Sequence, residues 1–295
     1  MPHTDESHRR RSIYLLPNAF TTANLFAGFY AVVQAMNGRF DVAAIAIFVA
    51  MIFDGMDGRV ARLTNTQSAF GEQYDSLSDM ASFGIAPALV MYEWALQGLG
   101  RWGWLAAFIY VVGAALRLAR FNTNIGVVDK RFFQGLPSPA AAALVAGFVW
   151  LAVDNKLLLE THTITWVAFV FTVYAGIAMV TNAPFYSGKT FALGRSVPFW
   201  VILLVVAVFV FVSSDPPIVL FGLFVVYGLS GWFIMLWRWR RARRLNRMWH
   251  EGLGGQADDT PASAEHSFSA KHTFQSPELG GQTDRHDTSS GKVDQ

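Results

Sequence analysis

The chain is 295 residues long, 53% hydrophobic and only 15% charged, with 23 Lys and Arg against 21 Asp and Glu. A soluble domain carries about a quarter charged residues, whereas residues 197–212 and 216–237 hold no charged side chain here, which excludes an ordinary soluble enzyme. The absence of cysteine excludes disulfides and thiolate metal sites, so any bound metal must use oxygen or imidazole ligands.

Eight membrane-spanning helices are predicted, at residues 18–37, 42–57, 73–96, 102–121, 138–154, 163–181, 197–213 and 216–237. Runs of this length cross a hydrocarbon core of roughly 30 Å, so the fold class is an all-α polytopic membrane bundle. The first run begins near Pro17 and is long enough to span, which sets it apart from a cleaved signal peptide. It carries Asn18, Thr21 and Asn24, which at the start of a span also read as helix caps. With the N-terminus inside, the alternate loops hold seventeen Lys and Arg on the cytoplasmic side and only Arg39, Arg101 and Lys156 on the other. This asymmetry predicts an even number of spans with both termini cytoplasmic.

The second and third spans carry the chemistry. Residues 53–80 read FDGMDGRVARLTNTQSAFGEQYDSLSDM, with four aspartates at or near the ends of two apolar runs. A carboxylate close to hydrocarbon is expensive and needs a cation or another partner. Asp54 and Asp57 are three apart and Asp75 and Asp79 four apart, so each pair shares one face of its helix. The turn between the helices, at about 58–72, brings the pairs together on the cytoplasmic side. Four carboxylates without Cys or His suit hard divalent cations, Mg²⁺ or Mn²⁺, and two such ions about 4 Å apart form a clamp for phosphoryl transfer. Gly58 and Gly71 leave room for a bulky phosphate group, and the third span, starting near Gly71, offers free amides to an anion. Single aspartates also serve as caps; four at this spacing in one hairpin are poorly explained that way.

This stretch resembles the signature of the CDP-alcohol phosphatidyltransferase family, Asp-x2-Asp-Gly-x2-Ala-Arg-x8-Gly-x3-Asp-x3-Asp. Asp54, Asp57, Gly58, Ala61, Arg62, Gly71, Asp75 and Asp79 fill every fixed position. The resemblance covers roughly residues 13–195, and implies transfer of a phosphatidyl group from a CDP-lipid to an alcohol with release of CMP. It implies that Asp54, Asp57 and Asp75 bind metal. Asp79 would both touch metal and remove the proton of the acceptor hydroxyl. Gly58, Ala61, Arg62, Ser68 and Gly71, with Thr21 and Asn24 from the first span, would hold the CDP-lipid. A homodimer, with two Mg²⁺ or Mn²⁺ ions, is also implied.

Three further stretches resemble the bacterial-type, serine-using branch of the family: LPNAFTTANLFAGF at 16–29, SDMASFGIAPALV at 78–90, and ALRLARFN at 115–122 followed by FQGLPSPAAA from Phe133. The implied substrates are CDP-diacylglycerol and L-serine, with membrane lipids as surroundings and no role for nucleic acid. Arg117 and Arg120 are three apart at the cytoplasmic end of the fourth span and point the same way. Their forks match the serine carboxylate, although a phosphate-bearing acceptor would want similar cations. Lys130, Arg131, Lys189 and Arg195 are weaker candidates for that role.

The chain then divides into a cytoplasmic segment 1–12, a core of six spans at 13–195, two added spans at 196–237, and a basic flank with a disordered tail at 238–295. The tail is too poor in large apolar residues to bury surface, and the tryptophans near span ends read as interfacial anchors. Two rival functions remain at this point. One is the same transfer with glycerol 3-phosphate, inositol phosphate or choline as acceptor. The other is a cation-coupled transporter, which would distribute acids along the membrane depth instead of clustering them at one side. The location expected is the bacterial cytoplasmic membrane.

Overall fold

A computed structural model describes residues 5–64, 66–123, 132–154, 160–186 and 199–254. Residues 1–242 form one compact unit and 243–295 a second, of which the end of the last helix is described. Lys130, Arg131, Lys189, Arg195 and the expected disordered tail lie outside the described residues.

Among the described residues, every predicted span falls on helix over nearly all of its length. The order is α1 (Asp5–Met36), α2 (Phe40–Leu63), a composite third span opened by α3 (Ala69–Asp79), α5 (Arg101–Thr123), α6 (Ser138–Val153), α7 (Thr161–Val180), α8 (Phe199–Ser214) and α9 (Pro216–Gly254), with α4 (Ala86–Met91) inside the third span. Among the described residues, Arg101–Thr123, His162–Val180 and Pro216–Arg241 are long and apolar enough to cross a membrane, and Ser138–Val153 is apolar but shorter. The protein is a helical integral membrane bundle. On α8 the apolar side chains Phe199, Phe209 and Phe211 are exposed, as befits a face turned to lipid.

A helix apolar on all sides belongs in the interior, and α6 is that helix: Ser138 and nearly every residue from Ala140 to Ala152 are buried. It packs on α2 and α7, while α1 lies along α2 and α5 along α7. Small residues permit these approaches, since lipid tails provide no hydrophobic drive between helices. A Cβ on Gly176 would come within 2.9 Å of the Tyr110 Cα, so α5 and α7 cross backbone against backbone.

The third span is not one α-helix. After α3 come a π-helical turn (Met80–Ile85), α4, a second π-helical stretch (Tyr92–Leu96) and a short 3₁₀ turn (Gln97–Leu99). Pro87 supplies a reason for the first widening. Without an amide hydrogen it cannot donate to the carbonyl of Phe83, four residues back. The Phe83 oxygen accepts a hydrogen bond from the Tyr110 hydroxyl at 3.0 Å, between two fully buried residues.

One feature departs from the all-helical expectation. β1 (Phe132–Gln134) pairs antiparallel with β2 (Pro184–Tyr186), with Phe133 opposite Phe185. Gly135 follows at φ 81°, a conformation that favours glycine. Its amide donates to the Ala183 carbonyl at 3.0 Å and that of Leu136 to the Ala178 carbonyl at 3.0 Å. The ribbon thus ties the entry to α6 against the exit from α7.

Candidate active site

The helical spacing on α2 and α3 delivers the predicted convergence. One carboxylate oxygen each from Asp54, Asp57 and Asp75 lie within 4.8 Å of one another. Asp79 lies close enough to Asp54, and Asp57 to Asp75, for their carboxyl groups to interact directly.

Helix α1 holds this cluster from the other side. Thr21 Oγ1 donates to Asp57 Oδ2 at 3.1 Å, and Asn24 Nδ2 donates to Asp79 Oδ1 at 3.2 Å. Both residues sit deep within α1, which begins at Asp5, so the cap expectation for them is corrected. Two serines of the third span fix the register that makes this possible. Ser78 Oγ donates to the Thr21 carbonyl and Ser82 Oγ to the Asn24 carbonyl, each at 3.0 Å. Spaced four apart on one helix, they grip carbonyls three apart on the other. Gly28 completes the contact, because a Cβ there would collide with Ser82.

The residues present fit a hard divalent cation. Asp75 Oδ1 is buried without any hydrogen-bond partner, an expensive condition for a carboxylate oxygen. Its charged neighbours are other carboxylates, so the donors that reach Asp57 and Asp79 leave this oxygen of the cluster unsatisfied. An all-oxygen donor set of this kind suits Mg²⁺ or Mn²⁺ better than zinc.

Beside the carboxylates lies a cleft of about 590 Å³, lined by Pro17, Asn18, Thr21, Asp57, Gly58, Ala61, Arg62, Thr66, Gln67, Ser68, Ala69, Gly71, Glu72 and Asp75. Six of the seven residues expected to hold the CDP-lipid are in this lining; Asn24 is not, being fully buried against Asp79. Ser68 has a second task. It is the N-cap of α3, accepting from the Gly71 amide at 3.0 Å, as N-cap serines do. At Gly58 an added Cβ would meet open space, whereas at Gly71 it would press on Ser68 Oγ at 3.2 Å and Asn18 Oδ1 at 3.5 Å. Glycine at 71 therefore keeps the cleft floor clear.

Arg117 and Arg120 have separate partners. Arg117 Nη1 donates to Ser138 Oγ at 2.6 Å, the first residue of α6, and its charge acts on Asp79 and Asp54. Arg120 Nη1 donates to Asn182 Oδ1 at 3.1 Å, in the connection between α7 and β2. Asn122, from the same ALRLARFN stretch, exchanges hydrogen bonds with Ser76 on α3. Sequence reasoning missed Ser78, Ser82, Ser138 and Asn182. Each lies far along the chain from its partner, and only the first three fall in stretches that already carried a family resemblance.

Residues 14–174 match the family model described as CDP-alcohol phosphatidyltransferase. A Helicobacter pylori protein named CDP-diacylglycerol–serine O-phosphatidyltransferase is 37% identical over 226 residues, covering 76% of this chain and 93% of the relative. A Mycobacterium leprae protein of the same name is 33% identical over 189 residues, 62% of each chain. A third, from Methanocaldococcus jannaschii, is 34% identical over 183 residues, 61% of this chain and 79% of the relative. With more than half its length matched and its aspartates gathered as the signature requires, this chain belongs to the CDP-alcohol phosphatidyltransferase family.

Proposed function

We propose that the protein transfers the phosphatidyl group of CDP-diacylglycerol to the hydroxyl of L-serine, giving phosphatidylserine and CMP. The names of its relatives support the substrates. The observation that carries the chemistry is the cluster of four carboxylates at the edge of the Arg62- and Ser68-lined cleft.

In this reading the CDP end of the lipid lies in the cleft, its phosphates against Arg62 and the α3 N-terminus, with Gly58 and Gly71 leaving space. Asp54, Asp57, Asp75 and Asp79 would hold two divalent cations, Mg²⁺ or Mn²⁺, which when bound neutralise the pyrophosphate and ease the departure of CMP. Asp79, steadied by Asn24, takes the proton of the serine hydroxyl. The serine oxygen bonds to the phosphatidyl phosphorus as the bond from that phosphorus to the CMP oxygen breaks. Arg117 and Arg120 hold the serine carboxylate, the first kept in place by Ser138 and the second by Asn182.

Residues 13–195 form the catalytic core in this proposal, with 196–237 as added spans and 238–295 as basic flank and tail. The distribution of Lys and Arg supports a site and both termini on the cytoplasmic side of a bacterial cytoplasmic membrane, and the family resemblance supports a homodimer. The test is direct: purified protein given CDP-diacylglycerol, Mn²⁺ or Mg²⁺ and each candidate alcohol should release CMP with serine. CMP release that depends on glycerol 3-phosphate or inositol phosphate instead would overturn the choice of acceptor.

A further inference from the structure

Side-chain hydrogen bonds tie α5 to the third span at two levels. In the interior, the Tyr110 hydroxyl donates to the Phe83 carbonyl at 3.0 Å. Near the end of α5, Asn122 Nδ2 donates to Ser76 Oγ at 3.1 Å. That hydroxyl donates in turn to the Glu72 carbonyl at 3.1 Å, within α3 itself. Other side-chain bonds of α3 run to α1, from Ser78 to the Thr21 carbonyl and between Tyr74 and Thr22, each at 3.0 Å.

The two ties bracket the site. Asp79 lies between Ser76 and Phe83 along the third span, and Arg117 and Arg120 lie between Tyr110 and Asn122 along α5. The inner tie joins fully buried residues, whereas Ser76 and Asn122 are only partly buried. In the proposed reaction the acceptor is held by α5 while its hydroxyl must meet a base on α3. A misplacement of about 1 Å between such groups can cost about a hundredfold in rate, so the separation of the two helices at this end bears directly on turnover.

We propose that Asn122 and Ser76 are positioning residues that hold the arginine-bearing end of α5 at the distance from Asp79 that transfer needs. The proposal rests on the reading in which Arg117 and Arg120 hold the serine carboxylate, and deepens it. Neither residue touches the reacting atoms; the pair sets the frame in which they meet.

The test is steady-state kinetics of Asn122→Ala, Ser76→Ala and the double variant in detergent–lipid micelles, varying serine and CDP-diacylglycerol separately. Alanine is the strongest helix former, so Ser76→Ala leaves α3 intact and keeps the test open if Asn122→Ala fails to fold. Each single variant should lower kcat about five- to twentyfold while both KM values stay within about twofold, as for lost alignment with binding groups kept. The double variant should be little worse than either single, because both remove one contact. Ser76→Thr keeps the hydroxyl and should hold kcat within about twofold of the wild type. A kcat unchanged in both single variants, losses that multiply fully in the double variant, a Ser76→Thr as slow as Ser76→Ala, or a change confined to the KM for CDP-diacylglycerol would each overturn the proposal. If the wild-type protein released CMP only with another alcohol, the serine reading would fail instead, and that control tells the two failures apart.

Discussion

The two ends of the proposed reaction are held in opposite ways. On the α2–α3 hairpin, four carboxylates crowd together and the buried Asp75 Oδ1 has no partner. At the end of α5, both arginines already hold a hydrogen bond, Arg117 to Ser138 and Arg120 to Asn182. The first region leaves a buried carboxylate oxygen that the protein does not satisfy, whereas in the second each guanidinium has a partner and donors to spare. Charge that must be neutralised sits where the helices themselves fix it. In the proposed reading, charge that recognises a small molecule sits on long side chains braced by neighbours.

That contrast can be broken most severely at Asp79. Asp79→Asn should leave the protein folded and inserted while lowering transfer at least a hundredfold, since general-base catalysis contributes roughly 10²–10⁴-fold. Labelled serine incorporation into lipid measures it, and a variant keeping more than about a tenth of the rate would remove the base role. Excess EDTA should abolish activity in the wild type, with Mn²⁺ or Mg²⁺ restoring it. Full activity in chelator would end the metal reading of the hairpin.

The arginine end should respond to a finer change. Lysine keeps the charge but loses the fork, so Arg117→Lys should lower kcat/KM for serine roughly ten- to a hundredfold. Arg120 pairs with Asn182 at an exposed position, and Arg120→Lys should cost only about two- to fivefold. Neither should alter the KM for CDP-diacylglycerol; equal changes for both substrates would place the arginines on the phosphates.

The smaller effects concern stability. Asp75→Asn removes one charge from the crowd, so in chelator it should raise the thermal midpoint by about 2–4 °C while lowering activity. The metal-dependent rise seen in the wild type should shrink with it. A lower midpoint in chelator would mean that the cluster is satisfied by the protein alone. Ser68→Ala deletes the cap of α3 and should lower stability by about 1 kcal/mol, with a modest rise in the KM for CDP-diacylglycerol. Thermal melts and lipid titrations read these out.

The hairpin was the most legible part of the molecule. Three- and four-residue spacings on helices translate directly into shared faces, and the eight apolar runs located the helices because their length is dictated by the bilayer. Illegible were the contacts that join distant segments. Nothing local marks Ser78 and Ser82 as the clamps of α1, or Ser138 as the brace of Arg117. Thr21 and Asn24 looked like caps because the helical run extends well upstream of the apolar one. The ribbon of Phe133 and Phe185 was hidden by its brevity, three residues on each strand being too few to show alternation.

The wide turn at Met80–Ile85 separates two rotational phases within one span. In an α-helix each residue advances about 100°, and a π-turn takes up one residue more. The aspartate-bearing half and the half beyond Pro87 can therefore face different partners without sharing a single periodic stripe. The bond from Tyr110 to Phe83 fastens the splice. Removing one residue between 80 and 85 would return the span to uniform pitch while leaving both halves turned much as they are, because the wide turn already absorbs that residue. The carboxylates would still face Thr21 and Asn24, and the far half would keep its seat on the core. A gap of one at this place in a relative thus signals a straightened span with the same site, however abruptly the sequence stripe breaks there.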